Sequence, residues 1–405
     1  MEIAIAGAGI GGLAAAALLA RAGHGVTVFD QYAAPAPVGS GLIIQPVGQA
    51  VLDRLGAGTA TRARGNRVRR MLGHEATTGR PVLDVWYDRR GDAAAGLAIH
   101  RAALFDALHA AAVAAGARIR PGHRVTGVEA GSLLFADGSV TAPFDLVVDA
   151  SGARSAISPL RARDLPYGAI WGTVDWPAGS PLPEDRLSQC YRRADRMLGV
   201  LPIGTLPGGH RRKAAIFWSL PADGHDAWLD GGVGRWRDEA CGLWPAFAPF
   251  VEQIAEAGQM TMARYAHGTL RRPWGERLAI IGDAAHRASP QLGQGANMAL
   301  LDAAALAAAL GSAALGSAGG GTAGSGTAGV APALRRYAAA RRWHVRVYQV
   351  LSWAFTPQYQ SDSRILPVLR DRLLYPLSQL PPVPAILSRL VRGDLLPPLA
   401  GGLGS

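Results

Sequence analysis

Between Leu278 and Ala303 the chain reads LAIIGDAAHRASPQLGQGANMALLDA. Its residue types suit one task, holding a polar, anionic molecule against backbone. Asp283 follows directly on an apolar run, Leu278 to Ile281, that reads as a buried strand ended by Gly282. Pro290, Gly293 and Gly295 make a loop. From about Ala296 and Asn297 the periodicity turns helical, with Met298, Leu301, Ala305 and Leu306 on one face. A strand, a loop and a helix in that order place a carboxylate beside a polyol and backbone N–H groups beside an anion. The helix N-terminus adds about half a positive charge at the same spot.

A second such stretch opens the chain. Residues 2–6 read as an apolar strand, followed by Gly7-Ala8-Gly9-Ile10-Gly11-Gly12 and a helical pattern from Leu13 to about Ala22. Val26 to Phe29 then makes a strand ending in Asp30. The spacing fits a βαβ dinucleotide unit: Gly7 permits the turn, Gly9 lets backbone approach a pyrophosphate, and Gly12 lets helix pack on strand. Asp30 stands where an acid takes a ribose 2′-OH.

The later stretch, written GDAAHxxxPxxGQGxN, resembles the C-terminal flavin fingerprint of the FAD-dependent aromatic hydroxylases. These are class A flavoprotein monooxygenases of the p-hydroxybenzoate hydroxylase fold, and the tail of this chain resembles their UbiH-like members. The resemblance implies that Asp283 binds the ribityl or ribose side of FAD. It implies Pro290 against the isoalloxazine, Gly295, Ala296 and Asn297 near its pyrimidine edge, and Gly293 among the FAD contacts. Gly7, Gly9, Ile10, Gly11, Gly12 and Asp30 become FAD contacts. So do Gly41 in the segment 38–56, Arg101 reaching the pyrophosphate, and Val125 on a strand expected near 117–128. At 145–157 the chain reads DLVVDASGARSAI, with Ser151-Gly152 where the family carries Asp-Gly. Serine keeps an acceptor but removes a charge from a place that serves both FAD and the nicotinamide. Asp149, two residues earlier, reads either as a compensating charge or as the acidic end of a strand. At the end of the second strand the family has Glu followed by a basic residue, where this chain has Asp30-Gln31.

These residues need elements to hold them. The expected class is α/β: a Rossmann-like FAD-binding domain with an inserted antiparallel-sheet substrate domain and C-terminal helices. The FAD-binding parts are expected at 1–75, 97–165 and 275–310. Residues 76–96 are assigned to a substrate-domain segment and 166–274 to its sheet, with helix over 233–258. Residues 311–331, including GSAGGGTAGSGTAG, are expected to be a flexible loop, because such a composition buries too little to offset its ordering entropy. C-terminal helices follow at 332–405, packing against the first domain. Trp171, Trp176, Tyr191, Trp218 and Trp228 are the aromatics available to a substrate chamber.

Composition limits the partners. A 405-residue chain that is half hydrophobic holds a large core. Its net charge of +11 comes from forty arginines and one lysine, Lys213, scattered without an aromatic-basic stripe, which argues against nucleic acid. The charge suits an anionic cofactor or substrate. Cys190 and Cys241 form no CxxC pair and have no metal spacing, so no metal site is expected, and reduced cysteines fit a cytoplasmic protein. The apolar first twenty residues lack the basic start of a signal peptide. No membrane-spanning run stands out, and no stable membrane insertion is expected.

The family resemblance implies an enzyme that takes electrons from NADPH or NADH and reacts with O2. A flavin C4a-hydroperoxide then hydroxylates a small, usually aromatic, molecule. His267 and Pro290 are the candidate catalytic residues, His267 or Tyr265 helping to deprotonate a phenol, while His286 reads as structural. Two other readings stay open. One is an FAD oxidoreductase without oxygen insertion, acting as reductase or dehydrogenase on a quinone- or polyprenoid-type substrate. The other is a non-catalytic FAD scaffold. A flavin-dependent halogenase is disfavoured, since the Trp-x-Trp-x-Ile-Pro signature is absent and Lys213 is the sole lysine.

Overall fold

The computed structural model describes residues 1–33, 39–89, 91–317 and 329–400. The first strand, Glu2–Ala6, lies inside a six-stranded sheet. It pairs in parallel with Gly25–Phe29 on one side and Leu146–Asp149 on the other. Leu278–Ile280 extends the parallel set beyond Leu146–Asp149, and Arg118–Arg120 extends it beyond Gly25–Phe29. The three strands that end in Ala6, Asp149 and Ile280 therefore deliver their following loops to one edge, where α/β sheets bind ligands. Helices Ile10–Arg21 and Gly295–Ser317 pack against each other over this sheet. Their contact needs small residues: a side chain at Gly11 would meet Ala299 Cβ at 3.3 Å.

A second, eight-stranded sheet is built mainly from Arg163–Asp175, Arg186–Arg192, Arg196–Thr205, Arg212–Pro221 and Met260–Thr269. Alternation along these strands sorts its two faces. Ile170, Leu198, Val200, Ile216 and Trp218 face helix His225–Leu243 and form one core. Trp171, Tyr191, Met197 and Phe217 face the other way, toward Phe355 and Tyr359. A small third sheet, Gly41–Ile44, Asn66–Val68 and Gly96–His100, joins the two halves. The join is close. Ser40 donates to the Gly172 carbonyl (2.8 Å), and a side chain at Gly41 would strike Ile203.

The sheet differs from the sequence reading in its composition. Arg70–Glu75 belongs to it, pairing in parallel with Arg186–Arg192, so it is mixed rather than wholly antiparallel. The helix expected over 233–258 starts earlier, at His225, turns at Gly232 (φ 73°) and stops at Leu243, just before Pro245. Of the Gly/Ala/Ser stretch at 311–331, residues 311–317 continue the helix and Val330 begins the next one; residues 318–328 lie outside the described residues. Among the described residues, no helix is long and apolar enough to cross a membrane.

Helix Val330–Tyr359 is tied to the fingerprint stretch by a buried ionic group. Asp302 accepts the Gly282 N–H (2.9 Å), lies 2.6 Å from His286 Nε2, and receives Arg341 Nε (2.8 Å). Burial alone would push its carboxyl up; His286 and Arg341 outweigh that and hold it at about 2. Arg341 also donates to His344 Nδ1 (3.3 Å), and His344 Nε2 donates to the Gly393 carbonyl (2.9 Å). With one ring nitrogen accepting and one donating, His344 is neutral. Burial, reinforced by the Arg341 charge, pushes it down to about 4.

Removing one partner of a buried ion pair strands the other, so Asp302→Asn should cost about 3–5 kcal/mol in urea unfolding. A loss under about 1 kcal/mol would show that the group is not structural. The pH response has a definite sign. Above pH ~6.5 His344 is neutral in both states, and as pH falls toward 4 only the unfolded chain takes the proton. Stability should therefore drop by about 1.4 kcal/mol per unit over that window from this residue, with His24, His74, His100 and His267 adding in the same direction. Asp302 contributes in full above pH ~4, and its share is lost only as pH falls toward 2. His344→Gln should flatten the slope between pH 6.5 and 4; an unchanged slope would clear His344.

Candidate active site

The cleft at the sheet edge is made first by glycine. Gly7 (φ 102°) turns the chain so tightly that a side chain there would meet the Ala150 carbonyl at 2.6 Å. A side chain at Gly12 would collide with the Gly7 carbonyl. Gly9 is the opposite case: nothing lies within 4 Å of where its Cβ would be, so its missing side chain leaves open space at the N-terminus of helix Ile10–Arg21. Asp30 shapes the loop as well, accepting the Ala8 N–H (2.7 Å) and the Tyr32 N–H (2.9 Å). Ile10 opens the helix half-buried, and Gly11 serves helix packing. Val125 sits beside Phe29 in a small apolar cluster at the Asp30 end of the sheet.

Two opposite charges face this cleft without protein partners. Asp283, in the tight turn Gly282–Ala284, and Arg101, first residue of helix Arg101–Ala114, are both exposed in it. Neither side chain makes a hydrogen bond or ion pair to another described residue. The surrounding protein still shifts them: desolvation pushes the Asp283 carboxyl up against the pull of His286, Arg101 and Arg287, and pulls the Arg101 guanidinium down. Opposite charges open to a cleft and left without protein partners are candidates to hold a ligand. A carboxylate for hydroxyls, a guanidinium for phosphate, the Gly9 gap and open spaces at Gly152 and Gly295 together fit an FAD-sized dinucleotide.

Beyond Asp283 the chain makes the short turn Pro290–Leu292, reverses at Gly293 (φ 60°) and enters helix Gly295–Ser317. The first N–H groups of that helix, at Gly295, Ala296 and Asn297, have no carbonyl within the helix to bind. The Asn297 side chain is fully buried and committed to protein: its Oδ1 accepts the Gln45 N–H (2.8 Å) and its Nδ2 donates to the Gly293 carbonyl (2.9 Å). Its backbone N–H is what remains for a flavin edge. Tyr87 braces the same corner by donating to Gln45 Oε1 (2.7 Å).

Ser151 and Asp149 resolve another ambiguity. Asp149 is fully buried, with Ser151 Oγ (2.5 Å) and Ser155 Oγ (2.6 Å) donating to its two oxygens. It is the acidic end of a strand and offers no charge to the cleft. Ser151 itself is exposed, and Gly152 (φ 80°) follows with open space before it.

Next to Pro290 lies an aromatic cluster. Gln291 Nε2 donates to Gln360 Oε1 (3.0 Å), the residue after Tyr359, and lies 3.8 Å from Met197 Sδ, which packs with Tyr191 and Phe217. Trp171 packs on Phe217 with centroids 4.7 Å apart and the rings tilted by 36°, and donates to the Tyr265 hydroxyl (2.8 Å). Of the five aromatics available from sequence, Trp171 and Tyr191 face this side, whereas Trp176, Trp218 and Trp228 belong to the opposite core. His267 Nε2 is 3.3 Å from Ser352 Oγ, and its Nδ1 is buried without a partner. Burial pushes its imidazole down, which favours a neutral base, and pushes Tyr265 up to about 12. Sequence reading missed Asp302, Arg341, Gln45 and Tyr87; only Asp302, a lone acid in an apolar helical run, carried a signal.

The two sheets and the cleft between their connecting loops have the fold of the FAD-dependent aromatic hydroxylases. The chain belongs to the FAD binding domain family FAD_binding_3, whose model matches residues 1–325. It is 27% identical over 339 residues to hispidin-3-hydroxylase of Neonothopanus nambi, covering 76% of this chain and 79% of that one. It is 29% identical over 325 residues to 6-hydroxynicotinate 3-monooxygenase of Bordetella bronchiseptica, covering 75% and 81%. In fold it is similar to a point variant of HpxO of Klebsiella pneumoniae complexed with FAD. That match has a TM-score of 0.77 and 21% identity, over 98% of this chain and all of that one.

Asp283→Ala should weaken FAD retention about tenfold to a hundredfold, the loss of one or two hydrogen bonds to a charged group, with the thermal midpoint little changed. Normal flavin content in that variant would remove Asp283 from the site.

Proposed function

We propose that this chain is an FAD-dependent monooxygenase that hydroxylates a small aromatic molecule, with NADPH or NADH as electron donor and O2 as co-substrate. The observation that carries the reading is the Pro290 loop, which follows Asp283 in the cleft and reaches the aromatic cluster through Gln291. The curated relatives, a hispidin 3-hydroxylase and a hydroxynicotinate monooxygenase among them, support it by their names. Bound FAD would supply the redox chemistry, accepting electrons from the nicotinamide and activating O2.

The protein's own residues do the rest. Gly9, Asp30 and Arg101 would hold the dinucleotide, Asp283 its polyol chain, and Pro290 would lie against the ring. The N-terminus of helix Gly295–Ser317 favours negative charge at the ring's pyrimidine end. Trp171, half-buried and backed by the buried Phe217 and Tyr191, would offer a flat apolar face to an aromatic substrate. His267, neutral and with Nδ1 free, would take the proton of a phenolic substrate. A cytoplasmic location accords with this reading, since the donor is a soluble nucleotide and both cysteines are free thiols.

One observation favours a second reading. With Asp149 turned inward and Ser151 neutral, the nicotinamide approach lacks the acid that the family carries. This suits an oxidoreductase of the same fold that passes electrons to a quinone- or polyprenoid-type substrate without oxygen insertion. Anaerobic mixing of the yellow protein with NADPH or NADH, followed by air and a panel of phenols, separates the two. Bleaching, then a product heavier by one oxygen atom, is expected. Bleaching with oxygen uptake but no oxygenated product across the panel would favour the second reading. A protein that takes up no FAD would overturn both.

A further inference from the structure

Among the described residues, eleven of the sixteen exposed large hydrophobics lie between Trp343 and Ile386, about a tenth of the chain. Their centre is the continuous helical run Leu366–Leu369, Arg370–Leu374 and Tyr375–Ser378. Ile365, Leu369, Leu373 and Leu377 recur every four residues, a spacing that drifts by about 40° per step around an α-helix. The middle of this run is a π turn, Arg370–Leu374, whose extra residue takes up that drift and keeps the stripe on one side. The buried side carries a charge: Arg370, 1% exposed, donates to the carbonyls of Arg193 (3.1 Å) and Gln358 (2.8 Å) and pairs with Asp371 (2.6 Å). Its guanidinium also lies 5.2 Å and 5.1 Å from the rings of Tyr191 and Tyr359. The segment is thus fixed to the protein by an arginine and presents leucines to solvent, the reverse of an ordinary surface helix.

We propose that this face docks on an anionic lipid surface, lying in the interface without crossing it. The charge around it selects that occupant. Residues 332–400 hold ten arginines against three aspartates, and five of those arginines, Arg335, Arg342, Arg346, Arg364 and Arg372, are exposed. Arg364 stands just before the run and Arg372 within it, next to Ile365 and Leu373. On the preceding helix Arg342 and Arg346 flank exposed Trp343 at 5.4 Å and 5.5 Å. Aliphatic side chains rimmed by arginine and tryptophan suit a headgroup boundary, where leucine enters the acyl region and arginine meets phosphate. A second copy of this chain would bring an equally basic surface against it, so self-association is opposed by charge.

Flotation of the full-length protein with vesicles tests this. It should rise with phosphatidylcholine vesicles that contain phosphatidylglycerol and bind about tenfold more weakly to phosphatidylcholine alone or at raised salt. The double variant Leu373→Glu, Leu377→Glu should lose about tenfold in binding while keeping its thermal midpoint and flavin content. Absence of flotation with either vesicle overturns the proposal, as does equal binding to both or binding that the variant leaves intact. A stable dimer in light scattering that the variant splits, with no vesicle binding, would assign the face to a second copy.

Discussion

The carboxylate of Asp302 is the interaction on which the site depends. It accepts the N–H of Gly282, the residue before Asp283, and so fixes the turn that points Asp283 into the cleft. The same two oxygens hold His286 on the loop and Arg341 on the long helix. Three segments distant in sequence are thereby pinned to one buried charge, and each partner makes the others tolerable, since any one alone would leave an ion in apolar surroundings. His286, inside the fingerprint, is consumed by this work.

Close approach is the second constraint, and glycine supplies it in two senses. At Gly7, Gly12 and Gly41 the missing side chain lets protein touch protein; at Gly9, Gly152 and Gly295 it leaves room that protein does not fill. The open positions lie in the loop after Glu2–Ala6, in the loop after Leu146–Asp149 and at the fingerprint helix entry. One sequence motif therefore mixes residues that build the cleft with residues that vacate it, and spacing alone does not separate them.

This distinction marks what the sequence made legible. The turns and helix entries of the two glycine-rich stretches and the βαβ unit were readable because local spacing dictates them. The sheet was readable in kind but not in membership, since the partner of Arg70–Glu75 lies more than a hundred residues away and nothing local specifies a parallel pairing. Asn297 and Asp149 were open in sequence for a related reason. Both occupy motif positions, but whether a polar side chain serves a ligand or the scaffold depends on acceptors and donors brought by Gln45, Gly293, Ser151 and Ser155. The Arg341 and His344 network had no local signature at all, being set by the crossing of the long helix with Asp302 and Gly393.

Partnering therefore separates function from support better than residue type does. Asp302, Asp149, Arg341 and Arg370 are charged, deeply buried and bonded on several sides, so their free energy is already committed to the fold. Asp283 and Arg101 are charged, exposed and bonded to no described side chain, and His267 keeps one buried nitrogen unpaired. Leaving a buried polar atom such as that nitrogen unsatisfied costs stability that a partner would return. These groups are a carboxylate, a guanidinium and an imidazole, chemistry suited to hydroxyls, to phosphate and to a proton.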